Sequence, residues 1–175
     1  MCYNMLNKDT TLTGGIKLGK TVCFTGHRQI PGESYEALQE LLTDVLEKQI
    51  QNGATVFRAG GALGFDTLAA LTVLLLRRKY PDIRLELILP CPTQTKGWAR
   101  NDVLLYEQIL EQADSYRYVS QFYFNGVLQV RNRALVEGAD VCVAYLTSSH
   151  GGGTAFTASF ALKNGLELVN LADEM

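Results

Sequence analysis

The sequence has no apolar run long enough to cross a bilayer. Its longest, Leu68 to Leu76, ends in Arg77-Arg78-Lys79, whereas a spanning helix needs about 20 apolar residues. The first nineteen residues also lack an apolar signal core. Lys8, Asp9, several threonines and Gly14-Gly15 occupy that stretch, so no secretory signal is expected. Cysteine is sparse. Cys2, Cys23, Cys91 and Cys142 form neither a CxxC pair nor a zinc spacing, and Cys23 and Cys142 lie in apolar runs, where a free thiol behaves as a small core residue. These absences predict a cytoplasmic protein with no membrane partner, no structural disulfide, no metal site and no bound cofactor. An excess of either charge is missing too. Sixteen Lys and Arg against eighteen Asp and Glu give a net charge of -2. Such a chain has no global field to gather a polynucleotide, so nucleic acid is not expected as a partner.

What is present fits a globular domain. The 175 residues are 47% hydrophobic and 19% charged, enough for one core. Residues 1–19 read as a weakly ordered leader and residues 20–175 as a single domain. Within it, short β-rich runs alternate with helical stretches. Strands are predicted at Thr21–Phe24, Thr55–Phe57, Leu85–Leu89, Tyr116–Val119, Val141–Leu146 and Leu166–Leu171. Helices are predicted over Tyr35–Ile50, Asp66–Lys79, Ala99–Gln112, Gln129–Glu137 and Thr154–Lys163. Six strands alternating with five helices predict an α/β, Rossmann-like three-layer sandwich around a mostly parallel sheet of about six strands. The nearly all-apolar first and fifth strands suit positions covered on both faces. In such sheets the strand C-termini open on one edge, where ligands bind.

Three turns fall on that edge. Thr25-Gly26-His27-Arg28 follows the first strand; Gly26 permits close backbone approach, and His27 and Arg28 carry donors for an anion. Ala59-Gly60-Gly61-Ala62-Leu63-Gly64-Phe65-Asp66 joins the second strand to its helix and lacks the Lys-Ser/Thr of a Walker A loop. Glycines there let backbone N–H groups meet a phosphate. Asp66 reads as a helix cap, or as a partner for a ribose hydroxyl, base or water. Ser148-Ser149-His150-Gly151-Gly152-Gly153-Thr154 follows the fifth strand, and three successive glycines are entropically costly unless a site needs them. Gly60, Gly61, Gly152, Gly153 and Thr154 are expected to line one pocket. Arg131, beside Asn132 at the start of the preceding helix, is expected to point into it, since Arg suits bidentate phosphate contact. Arg133 reads as solvated. Trp98, near Lys96 and Arg100, has two readings, stacking on a base or packing at a helix edge.

Taken together, Thr25-Gly26-His27-Arg28, Gly60-Gly61-Ala62-Leu63-Gly64-Phe65-Asp66, Pro90-Cys91-Pro92, Arg131-Asn132 and Gly152-Gly153-Thr154 resemble the SLOG superfamily, within it the small YpsA-like branch. The resemblance implies a Rossmann-like fold that binds nucleotides or nucleotide-derived signals. Relatives include the DprA proteins and the LOG phosphoribohydrolases, which cleave N-glycosidic bonds of cytokinin or nucleoside monophosphates. Those hydrolases pair an Arg before the Gly-rich strand with a Glu just after the Gly-Thr. Arg131 matches the Arg, but Ala155, Phe156 and Thr157 follow Thr154, so the carboxylate is missing at its family position. Asp66 is the remaining acid on that edge. Glu137 and Asp140 belong at the opposite edge.

Three functions follow: a module that senses a nucleotide-like small molecule through its phosphate, an N-glycosidic phosphoribohydrolase using Arg131 and Asp66, or an interaction protein, with a homodimer possible, whose pocket is regulatory.

Overall fold

A computed structural model describes residues 19–147 and 152–175. Most of the predicted leader, and Ser148, Ser149, His150 and Gly151 of the third turn, lie outside the described residues. The elements are β1 (Lys20–Gly26), α1 (Tyr35–Gln51), β2 (Ala54–Ala59), α2 (Phe65–Leu76), β3 (Arg84–Leu89), α3 (Arg100–Gln112), β4 (Ser115–Tyr118), α4 (Val127–Val136), β5 (Val141–Tyr145), α5 (Gly152–Lys163) and β6 (Glu167–Asn170).

The six strands form one sheet in the order β4-β3-β2-β1-β5-β6, and every pairing is parallel. The Rossmann-like α/β expectation therefore holds, with the sheet wholly parallel. Helices α1, α2 and α3 pack on one face, and α4 and α5 on the other. The chain steps outward from β1 to β4, then returns to place β5 on the free side of β1. With right-handed crossovers, that reversal moves the helices to the opposite face. It also leaves a crevice at the C-terminal ends of β1 and β5.

The larger core lies under α1 and α2. Leu38, Leu42 and Leu46 of α1 recur every four residues and are buried, the stripe of an amphipathic helix. Helix α2 is apolar nearly all round because it touches the sheet, α1 and α3 at once. That burial accounts for the longest apolar run in the sequence. Among the described residues no helix is long and apolar enough to cross a membrane.

The smaller core, on the α4–α5 face, contains Cys23 and Cys142. These residues are partners in the β1–β5 register. The neighbouring Cys23 thiol and burial push the Cys142 thiol well above its ordinary value. Beyond β5, the Asn170 side chain accepts from Leu146 N–H at 3.0 Å and donates to Leu146 C=O at 3.1 Å. That bidentate clamp fixes the chain as it leaves the sheet beside the crevice.

Candidate functional site

The end of β1 is seated on the start of α2. Phe65 N–H donates to His27 C=O at 3.0 Å. Gly64, with φ +76 and ψ -119, caps α2 directly beneath the His27 and Arg28 carbonyls. A Cβ at Gly64 would overlap both, and one at Gly26 would overlap the Phe65 ring. Two glycines thus allow the first and second turns to stack, which carries Arg28 to the edge of the crevice.

A cavity of about 430 Å³ occupies that crevice, within the roughly 300–1,000 Å³ usual for small-molecule clefts. Gly26, His27 and Arg28 line it from β1, and Ala62 and Asp66 from the second turn. Arg131 and Asn132 line it from α4, and Gly152, Gly153 and Thr154 from the first turn of α5. The structure therefore gathers most of the sequence-predicted residues around one space. Gly60, Gly61 and Gly64, expected with them, do not line it.

Gly60 has a different task. A Cβ there would overlap the Arg131 guanidinium, and the Gly60 carbonyl accepts from Arg131 Nη1 at 2.6 Å. Gly60 makes room for the arginine. Gly61, at φ +66, turns its carbonyl to Gln94 Nε2 at 2.9 Å. Asp66 and Thr154 lie inside the first turns of their helices rather than at the cap positions. Asp66 Oδ2 accepts from Ala62 N–H at 3.3 Å and lies 3.4 Å from Arg131 Nη1. His27 is also committed: Thr147 N–H donates to its Nε2 at 3.0 Å, so that nitrogen acts as an acceptor. Arg133 is exposed and lies over the Phe156 ring, 5.6 Å from its centroid. Asp140 takes the Thr21 N–H at 2.9 Å, and the Glu137 carbonyl takes Arg58 Nη1 at 2.7 Å. Both acids stand at the opposite edge, as expected.

Electrostatically, the centre of the cleft is a buried ion pair. Arg131 and Asp66 each expose only 6% of their surface. Burial pushes the Asp66 carboxyl above its ordinary value, and Arg131, the Ala62 and Gly60 backbone and Arg28 pull it back. The guanidinium stays charged at any accessible pH. Its buried Nε has no hydrogen-bond partner among the described residues, an omission that costs about 1–3 kcal/mol. The first turn of α5 lines the same cavity, and the first N–H groups of a helix have no partner within it. The arrangement suits an anion with several acceptor oxygens.

Sequence reasoning missed Gln94, Thr147 and Tyr123. Gln94 and Thr147 are ordinary loop residues with no local signal. Tyr123 had one: Phe122-Tyr123-Phe124 is an aromatic run in a turn between Gln121 and Asn125-Gly126.

The family model for YpsA, described as the YspA SLOG family, matches residues 23–167. A UPF0398 protein of Bacillus thuringiensis strain Al Hakam and one of Bacillus cereus strain Q1 are each 26% identical over 132 residues, covering 74% of this chain and 72% of their own length. Among solved structures, DNA processing protein A from Helicobacter pylori, described by its single-stranded DNA binding mode, superposes with TM-score 0.60 at 21% identity. The match covers 86% of this chain but 64% of that one, under two thirds of its length. The protein TM1055 superposes with TM-score 0.54 at 18% identity, covering 89% and 79%. At these identities both share the fold. The expectation that nucleic acid is no partner is corrected by the Helicobacter protein, since the same fold there binds single-stranded DNA. A net charge of -2 describes the whole chain, whereas Arg28, Lys96 and Arg131 gather at one edge of the sheet.

Proposed function

Because the chain belongs to the YspA SLOG family, we propose that the β1–β5 cleft binds a nucleotide or nucleotide-derived phosphate ligand, as a sensing or regulatory module. The observation that carries this reading is Arg131, buried, short of a hydrogen-bond partner at Nε among the described residues and lining one cavity with the glycine-rich first turn of α5. A helix N-terminus and a guanidinium each suit a phosphate, and here both border one cavity. Gly152 and Gly153 leave the α5 backbone uncovered by side chains. Arg28 adds a second cation at the same cleft.

The acid of a phosphoribohydrolase would follow Thr154, where Ala155 stands. One observation favours hydrolysis as a second reading: burial holds the Asp66 carboxyl above its ordinary value, the direction a general acid requires. Release of free base from a nucleoside monophosphate, lost in Asp66→Asn, would replace the binding module by the enzyme.

Gly153→Val tests the binding reading. Gly153 has no positive φ, and a Cβ there meets only Asn132 Nδ2, at 3.5 Å. Valine is therefore tolerated by the fold but projects beside the α5 amides. Calorimetric titration with AMP and ribose 5-phosphate is expected to show binding at least tenfold weaker than wild type, about 1.4 kcal/mol, with Tm essentially unchanged. Equal affinities in the two proteins would remove the α5 turn from the site.

A further inference from the structure

A second cavity, about 480 Å³, adjoins the first and shares Arg28, Ala62, Leu128 and Arg131 with it. These shared residues stand between two chambers of different chemistry. The first chamber has helix amides, the Arg131–Asp66 pair and Arg28. The second draws Cys91, Gln94, Lys96 and Trp98 from the β3–α3 loop, and Tyr123 from the β4–α4 loop.

The second chamber is walled for a flat group. Trp98 is half-buried and braced edge-on by the Tyr106 ring at 5.7 Å. Tyr106 stays a neutral phenol, since burial and then Tyr118 push it far above its ordinary value. Tyr123 is 67% exposed, and its turn is fixed, because Ser120 Oγ donates to Phe122 C=O at 2.7 Å and accepts from Phe122 N–H at 3.2 Å. Gln94 ties the floor to the second turn through the Gly61 carbonyl. Two aromatic rings with a few polar side chains make the usual setting for a planar heteroaromatic ring.

We propose that the second chamber receives a nucleobase ring, and that the ligand is a nucleotide lying across Arg28 and Arg131 with its phosphate in the first chamber. The assignment rests on the nucleotide reading above and adds where the ring goes and what recognises it. Trp98 and Tyr123 supply stacking, which tolerates any base and strengthens binding about tenfold or more per ring.

Trp98 is the only tryptophan of the chain, so its emission reports this chamber alone. The probes are ribose 5-phosphate, AMP and NAD, titrated into the intact protein by fluorescence and by calorimetry. AMP, NAD or both are expected to quench Trp98 saturably, while ribose 5-phosphate binds without quenching. Quenching by NAD alone still supports the chamber and sets a longer ligand. Tyr123→Ala, at an exposed position, and Trp98→Leu should each lower the affinity ratio of the quenching nucleotide to ribose 5-phosphate about tenfold. Trp98→Phe, which keeps a ring, should preserve that ratio. Binding of AMP and NAD without quenching, or an unchanged ratio in both Tyr123→Ala and Trp98→Leu, overturns the ring assignment alone. Quenching that persists while Gly153→Val and Arg131→Ala leave ribose 5-phosphate affinity unchanged overturns the phosphate site and keeps the ring. No binding of any probe overturns both.

Discussion

Replacing Arg131 by alanine is expected to weaken binding of AMP or ribose 5-phosphate by roughly 10- to 150-fold, the loss of a charged hydrogen bond worth about 1.5–3 kcal/mol. It should also destabilise the fold by about 3–5 kcal/mol at neutral pH, because Asp66 is left buried without its counter-charge. The second effect carries a pH signature. Unfolded, the Asp66 carboxyl titrates near its ordinary 3.8, and folded it titrates higher. The folded protein therefore holds that proton more tightly. The stability linked to it is full below 3.8 and is lost as pH rises through the folded value. Removing Arg131 takes away the largest influence that lowers Asp66, so the folded value rises further. The deficit of Arg131→Ala should accordingly be smaller near pH 4, where the loss of the bond to the Gly60 carbonyl remains, and grow toward pH 7.5, as read by urea unfolding of both proteins at each pH. An equal deficit at the two pH values would mean that Asp66 does not depend on Arg131. An unchanged dissociation constant would make Arg131 purely structural.

Gly64→Ala is expected to cost about 3 kcal/mol or more. Alanine at positive φ carries about 1–2 kcal/mol of backbone strain, and here its Cβ also overlaps the carbonyls of His27 and Arg28, which are backbone and cannot rotate away. Gly53→Ala is the matched control. Gly53 has φ +92 with open space around its Cβ position, so only the strain of about 1 kcal/mol applies. Denaturant unfolding of both variants compares the two sites, and the excess at Gly64 combines the overlap with the added strain of ψ -119, outside the left-handed helical region. If Gly64→Ala costs no more than Gly53→Ala, the turns do not depend on that close approach. Because the same overlap displaces Arg28, ligand affinity should fall in Gly64→Ala at temperatures where the protein stays folded.

Much of this was legible in the sequence because it is local. Strand and helix periods are written in consecutive residues, so Leu38, Leu42 and Leu46, or the apolar β5, declare themselves. The boundaries moved where a turn intervened. Helix α2 ends at Leu76 rather than Lys79, since Arg78 and Lys79 tighten to bonds with the residues three before them. Helix α4 starts at Val127 because Gly126, at φ +104, turns the chain there. The site was legible as a set of turns but not as a set of tasks. That Gly60 must lack a side chain follows from an arginine 71 residues away. That His27 Nε2 accepts rather than donates follows from Thr147, at the end of the neighbouring strand β5 and 120 residues on in the chain. The second chamber joins two loops that meet only once the β3–β4 side of the sheet has formed, and no spacing announces it.

The Cys23–Cys142 pair gives the molecule an internal clock. Only the thiolate reacts with an alkylating reagent, and two buried thiols on adjacent strands, one held far from ionising, stay silent until α4 and α5 lift from the sheet that they cover there. Labelling at those two positions, followed by peptide mass spectrometry to separate them from Cys2 and Cys91, therefore times the opening of the α4–α5 face. The same two strands frame the cleft at their C-terminal ends. A ligand seated there also touches α4 and α5 and binds only while they are in place, so it should slow the clock by the factor 1 + [L]/Kd. Affinity can then be read as a half-life of labelling, without any change in absorbance or fluorescence.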